Sequence, residues 1–99
     1  LTSEERPLHP GARVRVAVHR DAPPGCTVRL VTSHAAVSLW SKPMAAQLNA
    51  PTELEVPYPY DDLVEGTFAV HAELCTADGG VIASVDVGRY GVRRFRFSA

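Results

Sequence analysis

The stretch Gly66-Thr67-Phe68-Ala69-Val70-His71-Ala72-Glu73-Leu74-Cys75-Thr76 decides the fold, because apolar and polar side chains alternate along its whole length. A period of two residues is typical of a strand with one buried face. The predicted core-facing side chains are Phe68, Val70, Ala72 and Leu74, and the outward-facing ones are Thr67, His71, Glu73 and Cys75. Asp78-Gly79-Gly80 then predicts a hairpin turn. The return strand is predicted to turn Val81, Ala83, Val85 and Val87 inward.

Shorter runs with the same period predict further strands on both sides of this hairpin. Ala12–His19 and Cys26–Thr32 alternate, and the turn Asp21-Ala22-Pro23-Pro24-Gly25 between them predicts a second hairpin. Other strands are expected at Val37–Ser41, at Leu54 to Val56, and at the C-terminal Phe95 and Phe97, after a bend at Gly88–Gly91. Met44–Ala50 is the only segment with helical propensity, and its length favours a loop or a single turn.

Seven short strands separated by turn signals predict an all-β fold, an antiparallel sandwich of the immunoglobulin-like or fibronectin type III-like class. An up-and-down barrel is the alternative, and the odd number of strands argues against it. Residues 1–11 are predicted to be a linker, and residues 12–99 to be the sandwich domain. The predicted core contains Val14, Val16, Val18, Val28, Leu30, Phe68, Val70, Leu74, Val85 and Phe95.

Composition narrows the classes of function. Ten Lys and Arg oppose eleven Asp and Glu, so no net positive charge favours nucleic acid as a partner. No run approaches the roughly 20 apolar residues of a membrane span, and no targeting signal indicates a localisation. The first and last residues suggest a domain taken from a longer chain. With 99 residues, the chain has room for two packed layers, which favours binding or structural work over catalysis.

The order Cys26, Trp40, Cys75 is similar to the disulfide and packed tryptophan of immunoglobulin domains. Strand parity argues against the disulfide, because Cys26 is predicted to face inward and Cys75 outward unless a bulge intervenes. Both outcomes stay open at this point. Trp40 is expected to face away from Leu39, and it is interpreted as a rim or core side chain, with a sugar-binding platform as the alternative.

Candidate chemistry is sparse. The four histidines, His9, His19, His34 and His71, show no metal-ligand spacing, although a site across strands between His19 and His71 is conceivable. The acidic residues Asp61, Asp62 and Glu65 could bind calcium, but a solvated loop is the simpler interpretation. No nucleophile, phosphate-binding or dinucleotide motif is present. We therefore predict no catalytic residue, no metal and no cofactor.

Several motifs in the C-terminal half resemble one known domain. They are Val56-Pro57-Tyr58-Pro59, Glu73-Leu74, Asp78-Gly79, and Gly91-Val92-Arg93 followed by Phe95-Arg96-Phe97. The stretch is similar to the immunoglobulin-like domain that precedes the catalytic barrel in glycoside hydrolase family two. The resemblance implies a non-catalytic accessory or spacer domain of a carbohydrate-active hydrolase, whose catalytic carboxylates lie elsewhere. Its partner would be a neighbouring domain of the same chain, with carbohydrate bound through the parent protein.

The arginines near the C-terminus are the remaining candidate site. Arg89, Arg93, Arg94 and Arg96 could form a patch for phosphate or anionic sugar, or the solvated face of an edge strand. The resemblance adds a third interpretation, an interdomain contact made by Arg93, Arg94 and Arg96 through bidentate pairing with carboxylates. The alternative function is a binding or adhesion module of a secreted or surface multidomain protein.

Overall fold

The computed structural model describes residues 1–4, 7–34, 37–58 and 66–92, and all regular structure in these segments is β. The strands are β1 Thr2–Ser3, β2 Arg13–Ala17, β3 Thr27–His34, β4 Val37–Trp40, β5 Met44–Ala45, β6 Thr52–Glu55, β7 Gly66–Cys75 and β8 Val81–Val92. The predicted all-β class is confirmed. Within these segments, no helix is long and apolar enough to cross a membrane.

The strands form two antiparallel sheets. The smaller sheet has the order β1-β2-β6. The larger sheet has the order β4-β3-β7-β8, and β5 pairs with the beginning of β3 beside β4. Strands β4 and β6 therefore lie at the ends of their sheets, a placement that matters for the site described below.

One apolar core lies between the sheets. Alternate residues of β2 are buried from the smaller sheet. In the larger sheet, inward residues of β3 and Phe68, Val70, Ala72 and Leu74 of the neighbouring β7 are buried from the other side. Every described residue of the predicted core is buried except Val85, which is partly buried and packs against the rest. Phe95 lies outside the described residues. Period-two alternation thus identified the core face of the central strands correctly.

The predicted hairpin between β7 and β8 is confirmed. Gly79 has a φ of 95°, a conformation that favours glycine. The Thr76 N–H donates to the Gly80 carbonyl over 2.8 Å, and the Gly80 N–H donates to Thr76 Oγ1 over 3.0 Å. The Thr76 hydroxyl also bonds to the Asp78 carboxylate, and this hydrogen bond lowers the pKa of Asp78.

The predicted hairpin between β2 and β3 is wrong. Strand β2 pairs with β1 and β6, whereas β3 pairs with β4, β5 and β7 in the other sheet. The segment between Ala17 and Thr27 is long enough to cross from one sheet to the other, so the apolar faces of β2 and β3 meet across the core. A two-residue period indicates which face is buried, but not which strand is the neighbour.

Strand β8 differs from its prediction in two ways. It continues to Val92, where a bend at Gly88–Gly91 was expected, and it absorbs irregularities in its pairing with β7. The register shift opposite Val70 and His71 changes the face of the following residues, so that Tyr90 is buried. At the other end of β8, Val81 is exposed instead of inward-facing. A bulge of this kind reverses which side chains face the core, and the alternation of apolar and polar residues in the sequence does not reveal it.

Tyr90 provides a test of this altered register. Its ring stacks on Phe68, and its buried hydroxyl has no hydrogen-bond partner among the described residues. Burial also raises the pKa of Tyr90. The folded state therefore loses stability as the pH rises from about 10, where the unfolded phenol ionises, towards the higher folded pKa.

We expect Tyr90→Phe to raise the free energy of unfolding by about 1 kcal/mol at pH 7, because the substitution removes an unsatisfied buried hydroxyl. The variant should also lose less stability above pH 10. Urea unfolding at pH 7 and at pH 10.5 measures both effects, with the exposed Tyr58→Phe as the control. A clear loss of stability in Tyr90→Phe at pH 7 would show that the hydroxyl is hydrogen-bonded.

The two cysteines are free and buried. Cys26 belongs to the core, whereas Cys75 is the register partner of Thr27 and therefore lies on the opposite face of the larger sheet. The predicted opposite parity is confirmed. Cys75 is nevertheless only 2% exposed, so it is buried although it faces outward.

Two short strands lie in segments predicted to be irregular. Thr2 and Ser3, within the predicted linker, pair with Ala17 and Val16 of β2. Met44 and Ala45 pair with β3, so the beginning of the predicted loop or helical turn is a short strand. The division of the chain into a linker and a domain stays a prediction.

Candidate binding groove

Exposed apolar side chains gather along one side of the sandwich, where β4 and β5 pair with β3 in the larger sheet and β6 is the edge of the smaller sheet. Trp40, Met44 and Tyr58 are 56%, 43% and 64% exposed. All three line a groove with a volume of about 860 Å³. We call it the β4–β6 groove; one wall runs from Ser38 to Met44, and the other from Glu53 to Tyr58, with Arg13 of β2 beside it.

Trp40 stands at the end of edge strand β4. It is the register partner of Val31, whereas Leu39 is the partner of the buried Thr32, so the two neighbours lie on opposite faces as predicted. The next residue, Ser41, ties the strand end to β3. Its N–H donates to the Leu30 carbonyl over 2.9 Å, and its Oγ accepts from the Leu30 N–H over 2.8 Å. The backbone that carries Trp40 is thus fixed while the indole remains open to solvent.

Tyr58 stands on the opposite wall, three residues beyond β6. Its phenol ring lies against Gly11, and a Cβ added to Gly11 would collide with the ring. Gly11 has a φ of 83°, and its N–H donates to the Val56 carbonyl over 2.8 Å. The φ favours glycine at position 11, and the Tyr58 ring packs on the backbone there because this position carries no side chain.

Charged side chains flank the aromatic ones. Arg13 Nη1 lies 2.8 Å from Glu53 Oε1, in an ion pair between neighbouring strands β2 and β6. The hydrogen bond to Glu53, reinforced by the charge of Glu53, raises the pKa of Arg13. Glu55 and Lys42 also line the groove. The described part of the lining therefore contains two cations and two carboxylates.

A second polar cluster lies on the outer face of the larger sheet, the face that also carries Trp40. Glu73 Oε1 accepts from Arg29 Nε over 2.9 Å, and Glu73 Oε2 lies 3.2 Å from His71 Nε2. Arg29 and Glu73 are register partners on β3 and β7. A cross-strand pair of this kind stabilises the sheet, so we assign these residues a structural role.

The described residues among those singled out in the sequence lie on different elements. His19 follows β2 in the smaller sheet and lies 3.3 Å from Asp21, whereas His71 is on β7 of the larger sheet. Arg89 is exposed on β8, opposite Ala69. The acidic residues Asp61, Asp62 and Glu65 and the arginines Arg93, Arg94 and Arg96 lie outside the described residues.

Sequence reasoning considered Trp40 but missed the other groove residues. Arg13, Met44, Glu53 and Tyr58 belong to three segments. The pairing of β2 with β6 places Arg13 beside Glu53, and the pairing of β5 with β3 positions Met44. The usable signal was Trp40 itself, an aromatic residue predicted to face away from its apolar neighbour Leu39. No protein-family model matches this chain, and no match was found among curated proteins or solved structures.

Proposed function

We propose that this chain is a non-catalytic accessory domain of a larger protein, with an immunoglobulin-like sandwich fold and the β4–β6 groove as its contact surface. The strand order supports the fold type. Sheets β1-β2-β6 and β4-β3-β7-β8 correspond to strands A-B-E and C′-C-F-G of such sandwiches.

The groove is the observation that carries the proposal. Tryptophan, tyrosine, methionine and arginine are the residues enriched at recognition surfaces, and Trp40, Tyr58, Met44 and Arg13 all line it. Their side chains are largely exposed, so they contribute little to the core that folds the domain. Exposed apolar groups concentrated in one groove suggest a surface that another molecule covers.

The proposed parent is a carbohydrate-active hydrolase, in line with the resemblance of the C-terminal half. In that setting the domain is a rigid spacer, and Arg93, Arg94 and Arg96 are proposed to contact the neighbouring domain. The groove also favours the second candidate, a binding or adhesion module of a secreted or surface multidomain protein. The two candidates differ in whether a neighbouring domain or a separate ligand covers the groove.

Substitutions in the groove should weaken binding while leaving the stability of the domain nearly unchanged. We expect Trp40→Ala and Tyr58→Ala each to change the free energy of unfolding by less than about 1 kcal/mol, because both side chains are mostly exposed. Urea unfolding of the 99-residue chain measures this. In the parent chain, the same variants should weaken the contact or binding that the domain provides.

Two results would contradict the proposal. A loss of several kcal/mol in both groove variants would show that these side chains belong to the folding core. Turnover of a panel of nitrophenyl glycosides by the purified 99-residue chain would show that the domain is catalytic.

A further inference from the structure

We propose that the β4–β6 groove binds a neutral oligosaccharide. This inference rests on the proposed function, since it names the ligand of the proposed contact surface. It depends on three features of the groove: aromatic faces on both walls, a donor–acceptor pair beside them, and balanced charge.

The aromatic side chains suit the faces of sugar rings. A pyranose ring has C–H groups on its faces and hydroxyls around its edge, so an aromatic ring packs on the face and leaves the hydroxyls free for hydrogen bonds. Trp40 and Tyr58 both line the groove, and both are largely exposed, so each ring is accessible to a sugar. Both are amphipathic rings that combine an apolar body with a polar group.

The Arg13–Glu53 pair suits the hydroxyls at the edge of a sugar. A hydroxyl both donates and accepts hydrogen bonds, a guanidinium offers five donors, and a carboxylate offers only acceptors. Arg13 and Glu53 lie side by side at 2.8 Å, with side chains 74% and 42% exposed. Neighbouring hydroxyls of one sugar could therefore bond to both groups without breaking the pair.

The charges of the groove favour a neutral ligand. Among the described residues of the lining, Arg13 and Lys42 balance Glu53 and Glu55, so these residues attract neither a polyanionic nor a polycationic chain as a whole. A proline-rich peptide also docks in aromatic grooves. Its prolines have no N–H, so they offer the two carboxylates no donor. A polyhydroxylated ligand satisfies both kinds of charged group.

The groove is also prepared for binding before a ligand arrives. Ser41 fixes the backbone next to Trp40, and Gly11 supports Tyr58. Anchors that are already held in place lose less conformational freedom on binding, which favours affinity. A volume of about 860 Å³ also lies within the range of roughly 300–1,000 Å³ that is typical of ligand sites.

The sequence provides a direct probe, because Trp40 is the only tryptophan. The 99-residue chain is titrated with neutral hexasaccharides of glucose, xylose, mannose and galactose in α and β linkages, while tryptophan emission is followed. We expect at least one of them to change the emission in a saturable way. Tyr58→Ala should weaken this binding about tenfold, as removal of a central aromatic contact does.

Matched variants separate the groove from the rest of the surface. Ile82→Ala removes another exposed apolar side chain, on β8 and outside the groove, and should leave the affinity unchanged. Trp40→Ala, followed by calorimetry, should abolish binding, and circular dichroism confirms that each variant is folded.

The inference is overturned if no hexasaccharide binds, if Tyr58→Ala binds as tightly as the parent sequence, or if only oligogalacturonate or a polyproline peptide binds. In each of these cases the proposed function can still hold, provided that Trp40 is shielded in the parent chain. If Trp40 is also open to solvent there, both proposals fail.

Discussion

Replacing Phe68 with alanine is expected to lower the free energy of unfolding by about 3–5 kcal/mol. Phe68 is 1% exposed and is the largest of the fully buried side chains. Its ring centroid lies 5.3 Å from that of Tyr90 and 4.9 Å from that of His34. Truncation would remove these contacts and leave a cavity between the two sheets, because a close-packed core relaxes only in part.

Urea unfolding of Phe68→Ala beside Ile82→Ala measures this effect. Ile82 is 47% exposed, and its truncation should cost less than about 1 kcal/mol. Equal losses in the two variants would show that Phe68 does not lie at the centre of the core and that the parity assigned to β7 is incorrect.

The second large loss of stability is expected when Gly11 is replaced with alanine. Its φ of 83° is a conformation that costs an L-residue about 1–2 kcal/mol, and a Cβ there would collide with the Tyr58 ring. We expect Gly11→Ala to lower the free energy of unfolding by about 1–2 kcal/mol, mainly from backbone strain, and to displace the exposed Tyr58 ring. The variant should also bind groove ligands more weakly.

Gly79→Ala is the matched control for this prediction. Gly79 has a φ of 95°, but a Cβ there meets nothing within 4 Å. It therefore carries the backbone strain without the collision, and its substitution should cost about 1 kcal/mol and leave binding unchanged. If the two variants lost the same stability and bound equally well, Tyr58 would not be supported by Gly11.

The sequence indicated which face of each strand is buried, but it said less about which strands are neighbours in a sheet. Alternation placed Val14, Leu30 and Val70 in the core correctly, because one buried face imposes a two-residue period. It could not assign β2 and β3 to different sheets, since both strands bury one face wherever they pair. The bulge that turns Tyr90 inward was equally hidden, because an extra residue in one strand is defined only against its partner.

The groove was beyond prediction for the same reason. The parity of Trp40 could be predicted from Leu39, but its position at a sheet edge depends on which strand lies next to β4. Arg13 and Glu53 are 40 residues apart in the chain and become neighbours only through the register of β2 with β6. A site at the edges of two sheets therefore depends on which strands pair, and the local sequence pattern does not reveal this.

Quenching of Trp40 fluorescence by acrylamide tests the central claim most directly, namely that the β4–β6 groove is a contact surface. Trp40 is the only tryptophan and is 56% exposed, so the free chain should be quenched strongly, at a rate approaching that of a free tryptophan derivative. The rate should fall when the groove is occupied, either by a hexasaccharide or by the neighbouring domain in the parent chain. A tryptophan that resists quenching in the free chain, or one that stays equally accessible in both bound settings, would contradict the account.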